Sequence, residues 1–427
     1  MKAATNTIFY RFGLIDQQSH HWIMSLLMIS LLILPFGFMT FKSLFGLLSA
    51  ICLLLSITAL FIKPELVNHF FKEKSSYLIV LCLISMPICI FLTQVIRGNI
   101  SASAYDGPLR LTVAFFILLA IYKHRIDFSR ISSLSIPLAL ICILVYAKLG
   151  HNLHGPYGER LTNDYLDPII WGNFSVILGF MSLASIQSND HFYLKTYKFL
   201  GFVLGASMSI LSQSRSGWVA AIVMALALLI LKRKQLTLKK IVGFMFLVGA
   251  ILLFLYFFVD SFRLRIDSAV SEILSWSQKS HKDSSAGIRL NMLEISSHIF
   301  FLSPWIGFGE FSKLPLENNL SVLLIADPGA TFTLQCCGPH NDFVAHALKF
   351  GIFGIFSFIS KFIIPIYIFL HSKHHQSALM GMMLSIGIIV CGFFSEMQTL
   401  KVSYTFYAMF ITGLIATSIW KTNKSNE

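Results

Sequence analysis

Apolar residues fill long blocks of this chain at no strand or amphipathic-helix period, and short polar or basic stretches separate the blocks. A bilayer core of about 30 Å takes about 20 helical residues to cross, so blocks of that length predict spanning helices. About twelve qualify, near 22–39, 43–62, 77–96, 108–122, 131–149, 167–186, 199–213, 215–231, 241–259, 343–370, 377–395 and 401–420. The expected fold is therefore all-α, a polytopic membrane protein forming one integral membrane domain over residues 1–427. The first block follows mixed residues and leads directly into a second, as a first span does and a cleavable leader does not.

One connection breaks the rhythm. Residues 260–342 are mixed in polarity and far longer than the roughly 12–15 residues a plain loop reaches. Within this stretch Ser284 or Ser285 can cap a helix whose apolar stripe runs through Ile288, Met292, Ile295, Ile299 and Leu302 until Pro304 stops it. Such a helix is expected to lie in the membrane interface. Pro304-Trp305-Ile306-Gly307-Phe308-Gly309 then reads as a tight turn back toward the bundle.

Composition agrees with lipid as the main solvent: 56% of the 427 residues are hydrophobic and 12% charged, against about 25% charged in soluble domains. The net charge of +13 raises nucleic acid as a partner, but the basic residues sit between the apolar blocks. Lys123, Arg125, Arg130, Lys232, Arg233, Lys239 and Lys240 fall on the side of the N-terminus, so the basic excess is topology information and nucleic acid is unnecessary. Both termini are then cytoplasmic, and 260–342 is a large loop on the outer side between spans nine and ten. Five of the seven cysteines lie in apolar runs as core filler, and adjacent Cys336 and Cys337 read as unspecialised thiols, because a vicinal pair bridges only with strain.

Three motifs can carry chemistry. Arg215, in Ser212-Gln213-Ser214-Arg215-Ser216-Gly217-Trp218, is a guanidinium at membrane depth that needs a counter-anion or a wet cavity, and its polar neighbours favour the cavity. The alternative is an interfacial arginine that snorkels outward. Arg289 falls in the first turn of the expected interfacial helix, where a cation opposes the helix dipole unless it binds an anion; the alternative is a solvated residue facing headgroups. Two arginines at one pocket form a clamp for phosphate oxygens that lysine does not reproduce. His340, in Gly338-Pro339-His340-Asn341-Asp342-Phe343, precedes a helix that Asn341 or Asp342 can cap, and a neutral imidazole there can take a proton from a hydroxyl; a lone histidine is otherwise structural. His371, His374 and His375 read as a basic turn rather than a metal cluster. The outer carboxylates, Asp106, Glu159, Asp164 and Asp167 among them, include no close pair and no Asp-x-Asp, so arginine rather than a metal is expected to face phosphate.

In order and spacing these motifs, with Gly287-Ile288-Arg289-Leu290, Pro304 to Gly309 and Gly351-Ile352-Phe353-Gly354, resemble the O-antigen ligases of Gram-negative lipopolysaccharide assembly. Gly158-Glu159-Arg160-Leu161 resembles a further family feature. The resemblance implies a GT-C-like, inverting, metal-independent glycosyltransferase without cofactor, in the bacterial inner membrane with its active site on the periplasmic side. It implies transfer of O-antigen polysaccharide from undecaprenyl diphosphate to a lipid A core sugar among membrane lipids. Carried onto these residues, Arg215 and Arg289 would hold the donor diphosphate, His340 would be the general base, and Arg160 and Asn341 would touch substrate. Lys349 departs from the pattern, because many relatives carry an acidic residue at that place. An O-antigen polymerase or a protein O-oligosaccharyltransferase is the nearest alternative; the chain's end at Glu427 disfavours the latter, whose members carry a longer soluble C-terminal region. A transporter or flippase is the alternative from another class, and the two similar halves expected of it are not seen.

Overall fold

The computed structural model describes residues 22–61, 67–73, 75–148, 160–163, 165–233, 237–277, 284–316, 320–323 and 325–424. Gly158, Glu159 and Asp164, named above, lie outside them. Each expected span is helical: α1 Trp22–Thr40, α2 Lys42–Phe61, α3 Ser76–Arg97, α4 Asp106–Val113 with α5 Phe115–Lys123, α6 Phe128–Lys148, α7 Pro168–Ala184, α8 Phe192–Leu211, α9 Arg215–Lys232 and α10 Leu238–Phe258. After the long connection, which carries α11 Asp260–Ser277, α12 Ser285–Phe300 and α13 Pro328–Cys337, come α14 Asp342–Leu370, α15 His375–Gly392 and α16 Lys401–Lys424. Among the described residues no strand occurs, and nine helical segments are long and apolar enough to cross a membrane; α7, at 17 residues, is slightly shorter. The protein is an all-α, polytopic membrane protein.

The bundle is built around α16, in which every residue from Ser403 to Trp420 is buried, and around α7. Lipid contributes no hydrophobic drive between helices, so close approach through small residues takes over. A Cβ on Gly205 of α8 would stand 2.4 Å from the carbonyl oxygen of Ser175 on α7. Large apolar side chains such as Phe61, Phe246 and Phe356 point outward, as a lipid-facing surface requires.

The connection between α10 and α14 has a core of its own. Ser284 caps α12, accepting from the Gly287 N–H at 3.0 Å. The stripe expected to face the membrane interface is turned instead to protein: Met292, Ile295 and Ile299 are fully buried with Phe311, Leu334 and Leu348, and only Leu302 remains exposed. The reason is local competition, since α13 and the start of α14 offer that stripe an apolar partner that excludes lipid and water alike. Cys336 and Cys337, expected as free thiols, are joined as a vicinal disulfide at the end of α13.

Two glycine motifs forty residues apart interlock. The Phe308 and Gly309 N–H groups donate to the carbonyls of Leu348 (2.8 Å) and Lys349 (2.9 Å), and the Ile352 N–H donates to Pro304 at 2.7 Å. α14 kinks at Gly351, φ 62°, and the turn folds at Gly307, φ 60°. Arg97 locks the junction by donating to the carbonyls of Ile306 and Lys349, at 2.5 and 2.9 Å. A Cβ at Gly351 would sit 2.3 Å from the Trp305 carbonyl carbon, on top of about 1–3 kcal/mol for a backbone region that essentially only glycine adopts. Gly351→Ala is therefore expected to lower the unfolding midpoint by several degrees and to cut the yield of folded protein, read by thermal unfolding in detergent; a wild-type midpoint would mean that the interlocked turn does not hold the fold together.

Candidate active site

The base of the site is the junction of α7, α8 and α9. Ser214 caps α9, and its hydroxyl and that of Ser216 both donate to Asn173 Oδ1 of α7, at 2.7 and 2.8 Å. Ser212, Ser214 and Ser216, read above as lining a wet cavity, are buried struts instead. Their bonds hold Arg215 at the first position of α9, where the helix dipole disfavours a cation. The counter-charge comes from α11: Arg215 donates to Ser268 and, at 3.1 Å, to Glu272. The second oxygen of Glu272 accepts the Ala286 N–H of α12 at 2.9 Å. Burial pushes the Glu272 carboxyl up, but the bonds from Arg215 and Ala286 outweigh it and leave the group below its ordinary range.

Arg289 of α12 is half-buried and, among the described residues, has no hydrogen bond or ion pair. Burial and the nearby charge of Arg215 lower its pKa, with Asp167 and Glu272 opposing. Arg160 donates to the Ser212 carbonyl at 3.0 Å and feels burial, the charge of Arg265, the attraction of Asp167 and the charges of Arg215 and Arg289. Arg265 of α11 donates to Gln213 Oε1 at 2.9 Å. Arg160, Arg215, Arg265 and Arg289 thus share one field with the carboxylates of Asp167 and Glu272.

His340 stands at the edge of this cluster. Its φ is 50°, and Gln213, which accepts from Arg265, has φ 54°, so two of the three non-glycine residues with positive φ in the described chain belong to the site. A non-glycine residue held there marks a conformation that surrounding contacts impose. Glu396, in the loop between α15 and α16, accepts the His340 N–H at 3.2 Å. That loop is pinned in turn by Asp342, whose buried carboxylate accepts from Met397 and Gln398 N–H at 3.1 and 3.0 Å. Among the described residues the imidazole makes no hydrogen bond. Burial and the charge of Arg289 hold its pKa below the ordinary 6.5, with Asp167 pulling the other way.

Asn341, expected to touch substrate, holds the helix start beside His340. It caps α14 by accepting from Phe343 and Val344 N–H, at 3.0 and 3.1 Å, and donates to the Phe393 carbonyl at 3.0 Å, so it positions His340.

Residues 200–359, from α8 into α14, match the family model described as O-antigen ligase. The chain carries an O-antigen ligase family domain. A protein of Haemophilus influenzae described as uncharacterized is 24% identical over 317 residues, covering 70% of this chain and 74% of its own length.

The ligase-family domain holds Arg215, Arg265, Glu272, Arg289 and His340, while Arg160, Asp167 and Glu396 approach it from outside the matched stretch. Sequence reasoning missed four of these. Arg265 and Glu272 sit in a helix with no distinguishing motif. Asp167 was named above only among the outer carboxylates; in the structure it caps α7, accepting from Ile169 N–H at 2.7 Å. Glu396 carries no signal at all. Among the described residues no three His, Cys, Asp or Glu side chains gather as a metal-ligand set, and His374 caps α15 through its bond from the Ser377 N–H.

Proposed function

We propose that this protein is an O-antigen ligase: an inverting, metal-independent glycosyltransferase of GT-C type that moves O-antigen polysaccharide from undecaprenyl diphosphate to a lipid A core sugar. It would act at the periplasmic face of the bacterial inner membrane, with both termini in the cytoplasm. The observation that carries the reading is charge. The guanidiniums of Arg160, Arg215, Arg265 and Arg289 outnumber the carboxylates of Asp167 and Glu272 that share their field, and with His340 neutral the cluster is cationic, as a diphosphate diester requires. Arg289, with no ion pair or hydrogen bond among the described residues, has its guanidinium unspent, and a guanidinium can grip two phosphate oxygens at once.

The chemistry follows from the arrangement. The acceptor hydroxyl gives its proton to His340, its oxygen bonds to the anomeric carbon, and the bond from that carbon to the diphosphate breaks with the electron pair leaving on phosphate. The leaving group gains a negative charge in the step, and the arginines already aimed at it stabilise that gain more than they stabilise the bound donor. The imidazolium formed beside Arg289 is offset by the same new negative charge and by Asp167.

The base must be neutral to act, and its pKa is depressed. Transfer is therefore expected to be full at pH 7 and to fall only as the pH drops through a value below 6.5, in the acid limb of kcat/KM. A limb centred at or above pH 7 would show that some other group is the base. The decisive test of the function is reconstitution of the purified protein with undecaprenyl diphosphate glycan and rough lipopolysaccharide. Glycan joined to the core supports a ligase, glycan joined only to a second lipid-linked glycan supports a polymerase, and donor translocation without joining supports a transporter.

A further inference from the structure

A groove of about 810 Å³ runs between α2, the α4–α5 pair and the first turns of α16. None of Arg160, Arg215, Arg265, Arg289 and His340 lines it. Its mouth still lies at the end of the bundle that carries them. Tyr165 on the rim donates to the Phe38 carbonyl near the end of α1, Trp171 donates to the Met39 carbonyl at 3.1 Å, and Asp167 between them shares the arginine field.

The groove exists because of how α2 is held. Lys123 clamps its far end to α5, donating to the carbonyls of Ala59 and Leu60 at 3.2 and 2.7 Å. Toward the mouth α2 presents the small residues Gly46 and Ala50, and a Cβ on Gly46 would meet nothing within 4 Å. Leu47 and Leu54 beside them are exposed, so the groove opens sideways onto the lipid-facing surface. At the helical rise, Leu53 on its wall lies about 16 Å along α2 from Lys42 at its mouth.

Below the mouth the wall suits hydrocarbon. Phe45, Val113, Ile117 and Met409 line it, and the Ser49 and Thr405 hydroxyls turn back to the carbonyls of Phe45 and Lys401 on their own helices, at 2.7 Å each. An open apolar cleft forfeits dispersion contacts unless a chain fills it, and the bilayer supplies acyl chains.

The mouth adds charge. Lys42, Arg110 and Lys401 line the groove, and no carboxylate does among the described residues. Asp106, outside the lining, answers two of them, accepting from Arg110 at 2.9 Å and from Lys401 at 2.5 Å. Lys42 has no ion pair or hydrogen bond among the described residues. Basic pockets between spanning helices hold anionic headgroups. A free anion would leave the slot empty, and a lipid of no net charge would leave the mouth uncompensated.

We propose that this groove is a site for one phospholipid with a net negative headgroup, its phosphate on Lys42 and Lys401 and an acyl chain laid along Gly46, Ala50 and Leu53. The bound lipid fills the space between α2 and α16 that the protein leaves open. The site rests on the groove alone and stands whether or not the protein transfers glycan.

The test compares full-length protein in nanodiscs of phosphatidylcholine alone and of phosphatidylcholine with phosphatidylglycerol, followed by detergent exchange and native mass spectrometry. Wild type is expected to keep one phosphatidylglycerol through the exchange and to unfold several degrees higher in the nanodiscs that contain it. Lys42→Gln combined with Lys401→Gln leaves Asp106 to Arg110 and should lower retention tenfold or more. Gly46→Phe places a ring where the acyl chain would lie; it should lose both the lipid and the phosphatidylglycerol-dependent rise, while unfolding no lower than wild type in phosphatidylcholine. Arg289→Ala should keep the lipid as wild type does. Equal retention in wild type and both groove variants, or equal retention of the two phospholipids by wild type, overturns the proposal. So does recovery of rough lipopolysaccharide or undecaprenyl phosphate in the groove in place of phosphatidylglycerol when either is added to the nanodiscs.

Discussion

Arg289→Ala is expected to lose transfer by at least about 10²–10³-fold while the protein folds as well as wild type or better. The reasoning runs through what Arg289 lacks. Among the described residues it has no hydrogen bond or ion pair, and burial with the charge of Arg215 outweighs the pull of Asp167 and Glu272, so truncating it relieves the unliganded protein. The bound diphosphate is the group that would compensate it. Arg215→Ala should behave differently, since it also strands Glu272, which ties α9 to α11 and α12; its loss of activity is expected to come with a lower unfolding midpoint. Arg289→Lys should recover little, because a point charge does not grip two oxygens of a phosphate as a planar guanidinium does. Rates in proteoliposomes with undecaprenyl diphosphate glycan, set beside thermal unfolding of the same preparations, measure both halves. Near wild-type turnover in Arg289→Ala would end its role at the diphosphate.

His340→Asn is the second large effect, and asparagine is chosen for the backbone. At φ 50° alanine would mix a conformational penalty with the chemical one, whereas asparagine tolerates the left-handed region and keeps a polar side chain that cannot accept a proton. Transfer is expected to fall by about 10²–10⁴, with the unfolding midpoint unchanged and the acid limb of the pH profile gone. Donor binding, measured separately, should persist. A variant that turns over at the wild-type rate, or that keeps the acid limb, would move the base elsewhere, and Glu396 would be the next group to examine, since burial raises its pKa and it already touches the His340 backbone.

The positions named from sequence and those found in the structure differ in kind. Arg215 and Arg289 stood out because each places a charge where an apolar block or a helix start makes it costly, and His340 because it puts a neutral imidazole just before a helix start. The structure gathers them, with Arg160, into one field. Glu272 and Arg265 broke no local rule, being ordinary charges on an ordinary polar helix, so nothing marked them until α11 came to lie across the start of α9. The serines beside Arg215 misled for the opposite reason: polarity near a membrane charge suggested water, while Asn173 of a neighbouring helix had claimed two of the hydroxyls.

What the sequence by itself determined was the solvation of each segment: which blocks lie in lipid, that helices start at Ser284 or Ser285 and at Asn341 or Asp342, and where glycine was needed for a turn. These follow from transfer free energies and backbone sterics, which act residue by residue within a short window. Tertiary structure alone decided that Gly307 meets Gly351, that Glu272 answers Arg215, and that the α12 stripe covers protein rather than lipid. Those outcomes depend on which helix faces pack together, and packing between distant segments is a matter of shape complementarity and shared burial that leaves no period in the chain.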